Sequence, residues 1–103
     1  WSGATPGAQP TSFALYPCAP NPFNPVTTIR FDLPQAVPVS VRVYDIAGRL
    51  VQTLVDNVVM EAGRREVVWR GCDESGRQVA TGTYFCRMEA GSFRETLKLL
   101  LVR

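Results

Sequence analysis

The chain contains no histidine. That absence excludes Ser-His-Asp and Cys-His nucleophilic chemistry, histidine-ligated metals and a histidine pH switch together. Lysine is nearly missing too: of eleven cations all but Lys98 are arginine, and nine acids bring the net charge to +2. A balance so close to zero excludes the basic footprint of a nucleic-acid or anionic-membrane binder. No apolar run exceeds the four residues Leu99 to Val102, far short of the ~20 that a membrane-spanning helix needs. Three cysteines are present, none in a C-x-x-C spacing, so neither a zinc knuckle nor a thioredoxin-like motif is indicated. There is no Gly-rich phosphate loop, and Asn21, Asn24 and Asn57 all lack the N-x-[ST] context of a glycosylation site. The expectation is a protein without catalysis, metal or cofactor.

What is there is one domain's worth of chain. At 103 residues, 46% apolar and 19% charged, it is long enough for one core and too apolar to be disordered. It begins at Trp1 without an initiator methionine, which reads as a C-terminal piece of a longer protein with no signal peptide in view.

Two regions differ in character. Residues 1–25 form an extended arm. Its first twelve residues carry no charge and have linker composition, and Pro17, Pro20, Pro22 and Pro25 then stiffen the chain. Fixing a residue costs about 1–2 kcal/mol of backbone entropy, and this arm has few apolar groups to offset it. It is therefore expected to lie along a strand edge of a second copy, held by Trp1, Phe13, Leu15 and Tyr16.

Residues 26–103 have a period of two. Ile29, Phe31 and Leu33 alternate with polar neighbours, as do Val39, Val41 and Val43, and later Tyr84, Cys86 and Met88. Leu50 to Val55 reads as a further strand, Val58 to Met60 as a separate edge piece, and Val67 and Trp69 as the inward side of another strand. The expected core is Ile29, Phe31, Leu33, Val39, Val41, Val43, Leu54, Val67, Trp69, Tyr84, Cys86, Met88, Leu99 and Leu101. No stretch has helical spacing with caps. Seven to eight short strands with regular turn signals predict an all-β antiparallel sandwich. In the last strand Leu100 and Val102 are apolar on the face opposite Leu97, Leu99 and Leu101, so the strand is expected to be central or to meet a partner.

Asp45-Ile46-Ala47-Gly48-Arg49 and Asp73-Glu74-Ser75-Gly76-Arg77 are two turns of one spelling. Asp45 and Asp73 can accept backbone N–H bonds, and Gly48 and Gly76 can take positive φ, so all four are read as turn-forming. A calcium loop needs roughly six converging oxygens, and neither turn has the carboxylates for it. Trp69, Tyr84 and Phe31 could form a sugar-stacking row, but inward aromatics of a small sandwich belong to the core. Cys86 reads as a small buried hydrophobe. Cys18 and Cys72 fall in irregular segments and are the candidate disulfide pair; free thiols and a bond between copies are equally open.

Three blocks carry a family resemblance. Tyr16-Pro17 leads to Asn21-Pro22-Phe23-Asn24-Pro25-Val26-Thr27-Thr28-Ile29-Arg30-Phe31. Val41-Arg42-Val43-Tyr44-Asp45-Ile46-Ala47-Gly48-Arg49-Leu50-Val51 follows, and then the stretch from Trp69 to Phe85. In order and spacing the chain from Phe13 to Arg103 resembles the immunoglobulin-like (Ig-like) domain of the flagellar hook-capping protein and the type IX secretion C-terminal sorting domain. It departs from that pattern by the Cys18-Ala19 insertion, and at Arg70 and Cys72. The resemblance implies an immunoglobulin-like sandwich on secreted or cell-surface bacterial proteins, serving export, attachment or assembly. Three functions follow as expectations. The first is a structural module that associates with itself as an oligomer or filament, or with the cell envelope. The second is a sorting or anchoring domain read by secretion machinery. The third is a carbohydrate-binding accessory module.

Overall fold

The computed structural model describes residues 10–102. Every regular element in it is a strand: β1 (Ala14–Leu15), β2 (Thr27–Leu33), β3 (Val37–Asp45), β4 (Leu50–Met60), β5 (Gly63–Trp69), β6 (Gly82–Ala90) and β7 (Phe93–Leu101). Period-two alternation sets each strand's inward face. In β3 the burial alternates strictly from Val37 to Val43, and in β6 Tyr84, Cys86, Met88 and Ala90 all point inward.

The strands form two antiparallel sheets, ordered β1-β2-β5 and β4-β3-β6-β7. The chain therefore crosses between sheets after β2, after β4 and after β5, the Greek-key pattern of immunoglobulin-type sandwiches. The core between the sheets centres on Trp69, Phe31, Ile29, Leu33, Met88, Leu99 and Leu101, each essentially solvent-free.

Several sequence expectations shift here for physical reasons. Leu54 and Val67 are half-buried, because β4 and β5 are edge strands whose inward residues sit at the sandwich rim. On β4 the buried positions are Val51 and Val55. The segments read as a strand and a separate edge piece are one strand, continuous through register shifts opposite Val39 to Tyr44. Asn57 takes a left-handed φ of 52° there, tolerable for asparagine, and its N–H donates to Ser40 Oγ at 3.0 Å. Such irregularities bend and twist an edge away from flat pairing.

The arm from Ala14 onward is part of the sandwich, because it supplies β1 and two buried side chains, Cys18 and Phe23.

Candidate functional site

The arm is the part of this fold that local pattern least explains, and it is where polar and aromatic anchors concentrate. Phe13 stacks on Phe93 with ring centroids 5.3 Å apart. Ala14 and Leu15 pair with Asp32 and Phe31, and the Tyr16 N–H continues to the Arg30 carbonyl at 3.0 Å. The Tyr16 hydroxyl donates to Asp32 Oδ2, while Arg64 Nε donates to Asp32 Oδ1 at 3.2 Å and its guanidinium lies 5.1 Å from the Tyr16 ring centre. Asp32 is a buried carboxylate, and these two donors satisfy it.

Beyond Pro17 the arm rejoins β2 and then leaves it. Ala19 and Thr28 exchange both backbone bonds, at 3.2 and 3.1 Å, and the buried Thr27 hydroxyl donates to the Pro20 carbonyl at 2.8 Å. The chain then crosses to the other sheet. The Asn21 side-chain amide donates to the Lys98 carbonyl at 3.1 Å and accepts the Leu100 N–H at 3.0 Å. Two residues on, the Phe23 N–H meets the Leu100 carbonyl at 3.0 Å, and the Val102 N–H meets the Phe23 carbonyl at 2.9 Å. Phe23 buries its ring 5.5 Å from Trp69.

The arm is thus a strap that starts on β1-β2 and closes on the outer edge of β7. Its composition suits that route. Proline has no N–H to leave unsatisfied at an edge, and an asparagine amide carries the donor and acceptor that mimic a peptide group.

Sequence reasoning placed Phe13, Leu15 and Tyr16 against a second copy. All three are occupied within the chain, and Trp1 lies outside the described residues. The entropy argument behind that expectation omitted Phe23, Cys18 and the asparagine-mediated bonds. The contacts lie far along the chain, so no local period signals them.

Both Asp-x-x-Gly-Arg turns close in one geometry. Asp45 Oδ1 accepts the Ala47 and Arg49 N–H groups, each at 2.9 Å, and Oδ2 accepts Arg49 Nε at 3.0 Å. Asp73 Oδ1 accepts the N–H groups of Ser75 and Arg77 at 2.9 and 3.0 Å, and the Ser75 hydroxyl at 2.7 Å. Gly48 and Gly76 hold φ of 83° and 85°, the left-handed region where a Cβ is strained. Glu74 docks the second turn on β4: its N–H donates to the Val51 carbonyl at 3.1 Å, and its carboxylate accepts the Thr53 N–H.

These bonds favour the charged carboxylates. The Arg49 N–H leads in holding Asp45 below the ordinary 3.8, and the Ser75 hydroxyl leads for Asp73. A carboxyl depressed in the folded state contributes stability above its unfolded pKa, and loses it as pH falls through the folded value. Asp73→Asn is therefore expected to flatten the acid limb of the unfolding midpoint below roughly pH 4. Urea titrations at several pH values read this directly, and an acid limb as steep as that of the native chain contradicts it.

Among the described residues no group of three or more His, Cys, Asp or Glu is placed to hold a metal ion. Dialysis against a strong chelator is expected to leave the melting curve unchanged; a large drop contradicts that.

The aromatic row is interior. Trp69 and Phe31 are fully buried and Tyr84 nearly so. Trp69 Nε1 donates to the Cys72 carbonyl at 2.9 Å, and the Tyr84 hydroxyl to the Ala80 carbonyl at 2.6 Å. No face of these rings is open to a sugar. Cys18, Cys72 and Cys86 are free thiols, with Cys18 and Cys86 buried and Cys72 half-buried, so the Cys18–Cys72 pairing is not formed in this structure.

With this geometry in hand, the family model described as the FlgD Ig-like domain matches residues 23–92. The chain belongs to the FlgD Ig-like domain family. The match opens on Phe23, so the strap's aromatic anchor lies within the family segment and the Tyr16 clamp precedes it. No curated protein matches the chain.

Two solved structures share the fold of this chain. One is dimeric latent PorU from Porphyromonas gingivalis, at 22% identity and a TM-score of 0.65, over 88% of this chain and 9% of that one. The other is PorZ, an essential surface component of the type-IX secretion system of the same bacterium. It is 24% identical with a TM-score of 0.60, over 86% of this chain and 11% of that one. The chain thus spans about a tenth of the length of either neighbour.

Proposed function

We propose that this chain is a non-catalytic Ig-like module of a secreted or cell-surface bacterial protein, and that it acts as a sorting or attachment unit read by type IX secretion machinery. The observation that carries this reading is the strap. Phe13, Leu15, Tyr16 and Phe23 are all engaged within one chain, so the sandwich closes on itself and can be presented as a folded unit. The fold shared with parts of PorU and PorZ supports it. The test is a fusion of the chain to the C-terminus of a periplasmic reporter in P. gingivalis. The expected result is reporter at the cell surface, lost when Phe23→Ala and Asn21→Ala are combined to release the strap. Reporter retained in the periplasm with the native chain attached contradicts the reading.

A second reading, self-association as an oligomer or filament, is favoured by the edges the strap leaves open. Val58 and Val59 on β4 are 50% and 65% exposed, and Val68 on β5 is 42% exposed. Both strands lie at sheet edges, and exposed apolar edge strands are templates for pairing. In this reading light scattering gives a mass that rises with concentration, and Val59→Lys abolishes the rise. A native chain that stays monomeric at high concentration rejects it. The carbohydrate-binding reading loses its binding row to the core.

A further inference from the structure

Cys18 and Cys86 sit on opposite sheets of one core. The strand register places Cys18. Tyr16 lies opposite Arg30 and Ala19 opposite Thr28, so Pro17 and Cys18 together face the single residue Ile29. Pro17 is exposed and Cys18 is buried, so this small bulge turns the thiol inward beside Ile29.

Two aromatic contacts align the other sheet. At one end Trp69, paired with Thr27, meets Tyr84 at 5.3 Å. At the other end Phe13, just before β1, stacks on Phe93, which is paired with Ala90. Between these fixed points the inward residues run Ile29 then Phe31 on β2, and Cys86 then Met88 on β6. Cys86 therefore lies over the Ile29 row that holds Cys18. The Phe13–Phe93 stack also sets the arm over β7, and β7 is the neighbour of β6.

We infer that Cys18 and Cys86 form a cross-sheet disulfide that fastens the strap to β6 when the chain folds in an oxidising thiol–disulfide environment. Electrostatics agrees with the placement. Burial pushes the Cys86 thiol up to about 12, and the charge of Cys18 adds to that rise. Cys72 is a poorer partner for Cys18. It follows β5, and β5 is on the far side of β2 from the arm. Two strand spacings are about 10 Å, beyond the ~7 Å Cα separation that a disulfide spans.

The chemistry is thiol–disulfide exchange with a low-molecular-weight disulfide such as oxidised glutathione. The Cys18 thiolate attacks one sulfur of that disulfide and expels a thiolate. The Cys86 thiolate then attacks the Cys18 sulfur and expels the second. Two protein thiols are oxidised to one cystine, the reagent is reduced to two thiols, and the two protons pass to the expelled thiolates. A thiol near 12 gives little thiolate in the closed core, so the exchange belongs to folding, before the core shuts.

The test uses the full chain and a Cys72→Ser variant, each refolded from the reduced, denatured state in glutathione buffers of graded ratio and acid-quenched. Non-reducing peptide mapping by mass spectrometry is expected to find Cys18 joined to Cys86 in both. Monomers should be lighter by two hydrogens, with Cys72 free in the native chain. The oxidised variant is expected to melt roughly 10 °C or more above its reduced form, because the bond closes a long loop. Three results would overturn the inference: Cys18 joined to Cys72, a bond between chains, or a Cys72→Ser variant whose two thiols still alkylate after unfolding at every glutathione ratio.

Discussion

Trp69→Ala is expected to cost about 3–5 kcal/mol, the range for deleting a buried large aromatic. Against a total stability of about 5–15 kcal/mol, that removes much of the folded population's margin. The reason lies in where Trp69 sits. It is the last residue of β5 and fully buried, and its ring meets Tyr84 at 5.3 Å and Phe23 at 5.5 Å. Its loss leaves a cavity touching both sheets and the strap at once. Urea denaturation followed by circular dichroism measures the effect. Val68→Ala is the control: the adjacent residue on the same strand is 42% exposed, and surface changes of that kind usually stay within about 0.5 kcal/mol. A Trp69→Ala midpoint close to that of Val68→Ala would contradict the packing described.

Phe23→Ala is the second large effect, again about 3–5 kcal/mol, and it bears on how the strap is anchored to the core. The Phe23 ring is 2% exposed, while its backbone carries the two bonds to the edge of β7. Removing the ring takes away the apolar anchor that offsets the entropy of ordering the strap, so the edge bonds should loosen with it. Phe13→Ala is expected to cost less, because Phe13 is half-buried at the rim. The Phe23 and Trp69 substitutions should also be non-additive, with a coupling of about 0.5–1.5 kcal/mol for the ring pair. Four midpoints, for the native chain, each single variant and the double variant, give the coupling. Additive costs would place the two rings apart.

How much of this was legible in the sequence follows from the range of the interactions. Alternation is local, and it placed Ile29, Phe31 and Leu33 on one face of β2, and Tyr84, Cys86 and Met88 on one face of β6. The two Asp-x-x-Gly-Arg turns are local as well, since each carboxylate bonds within four residues of itself. The edge strands were read less well. Bulges on the β3–β4 pair change which β4 residues face inward, so Val51 and Val55 take the positions that simple alternation gave to Leu54. The rim position of β5 leaves Val67 partly wet.

The strap was not legible. Its bonds join residues 77 and 79 positions apart, through a side chain acting as a surrogate peptide group, and neither feature has a period. Composition marked the arm as proline-rich. It could not say that the groups offsetting its entropy lie in the same chain. The strap also bears on the last strand, whose apolar residues on both faces prompted the expectation of a central position or a partner. β7 is flanked by β6 on one side and by Asn21 and Phe23 on the other near its end. Leu100 and Val102 nevertheless keep 38% and 42% of their surface exposed, so that face remains open.

The strap closes the sandwich from within a single chain, and native-state hydrogen exchange of the Phe23, Leu100 and Val102 amides across a dilution series checks this. All three donate to strap or β7 acceptors, so they are expected to be protected, to the same degree at every concentration. Protection that grows with concentration would mean the strap is exchanged between copies, and fast exchange throughout would mean it does not dock; either result contradicts the claim.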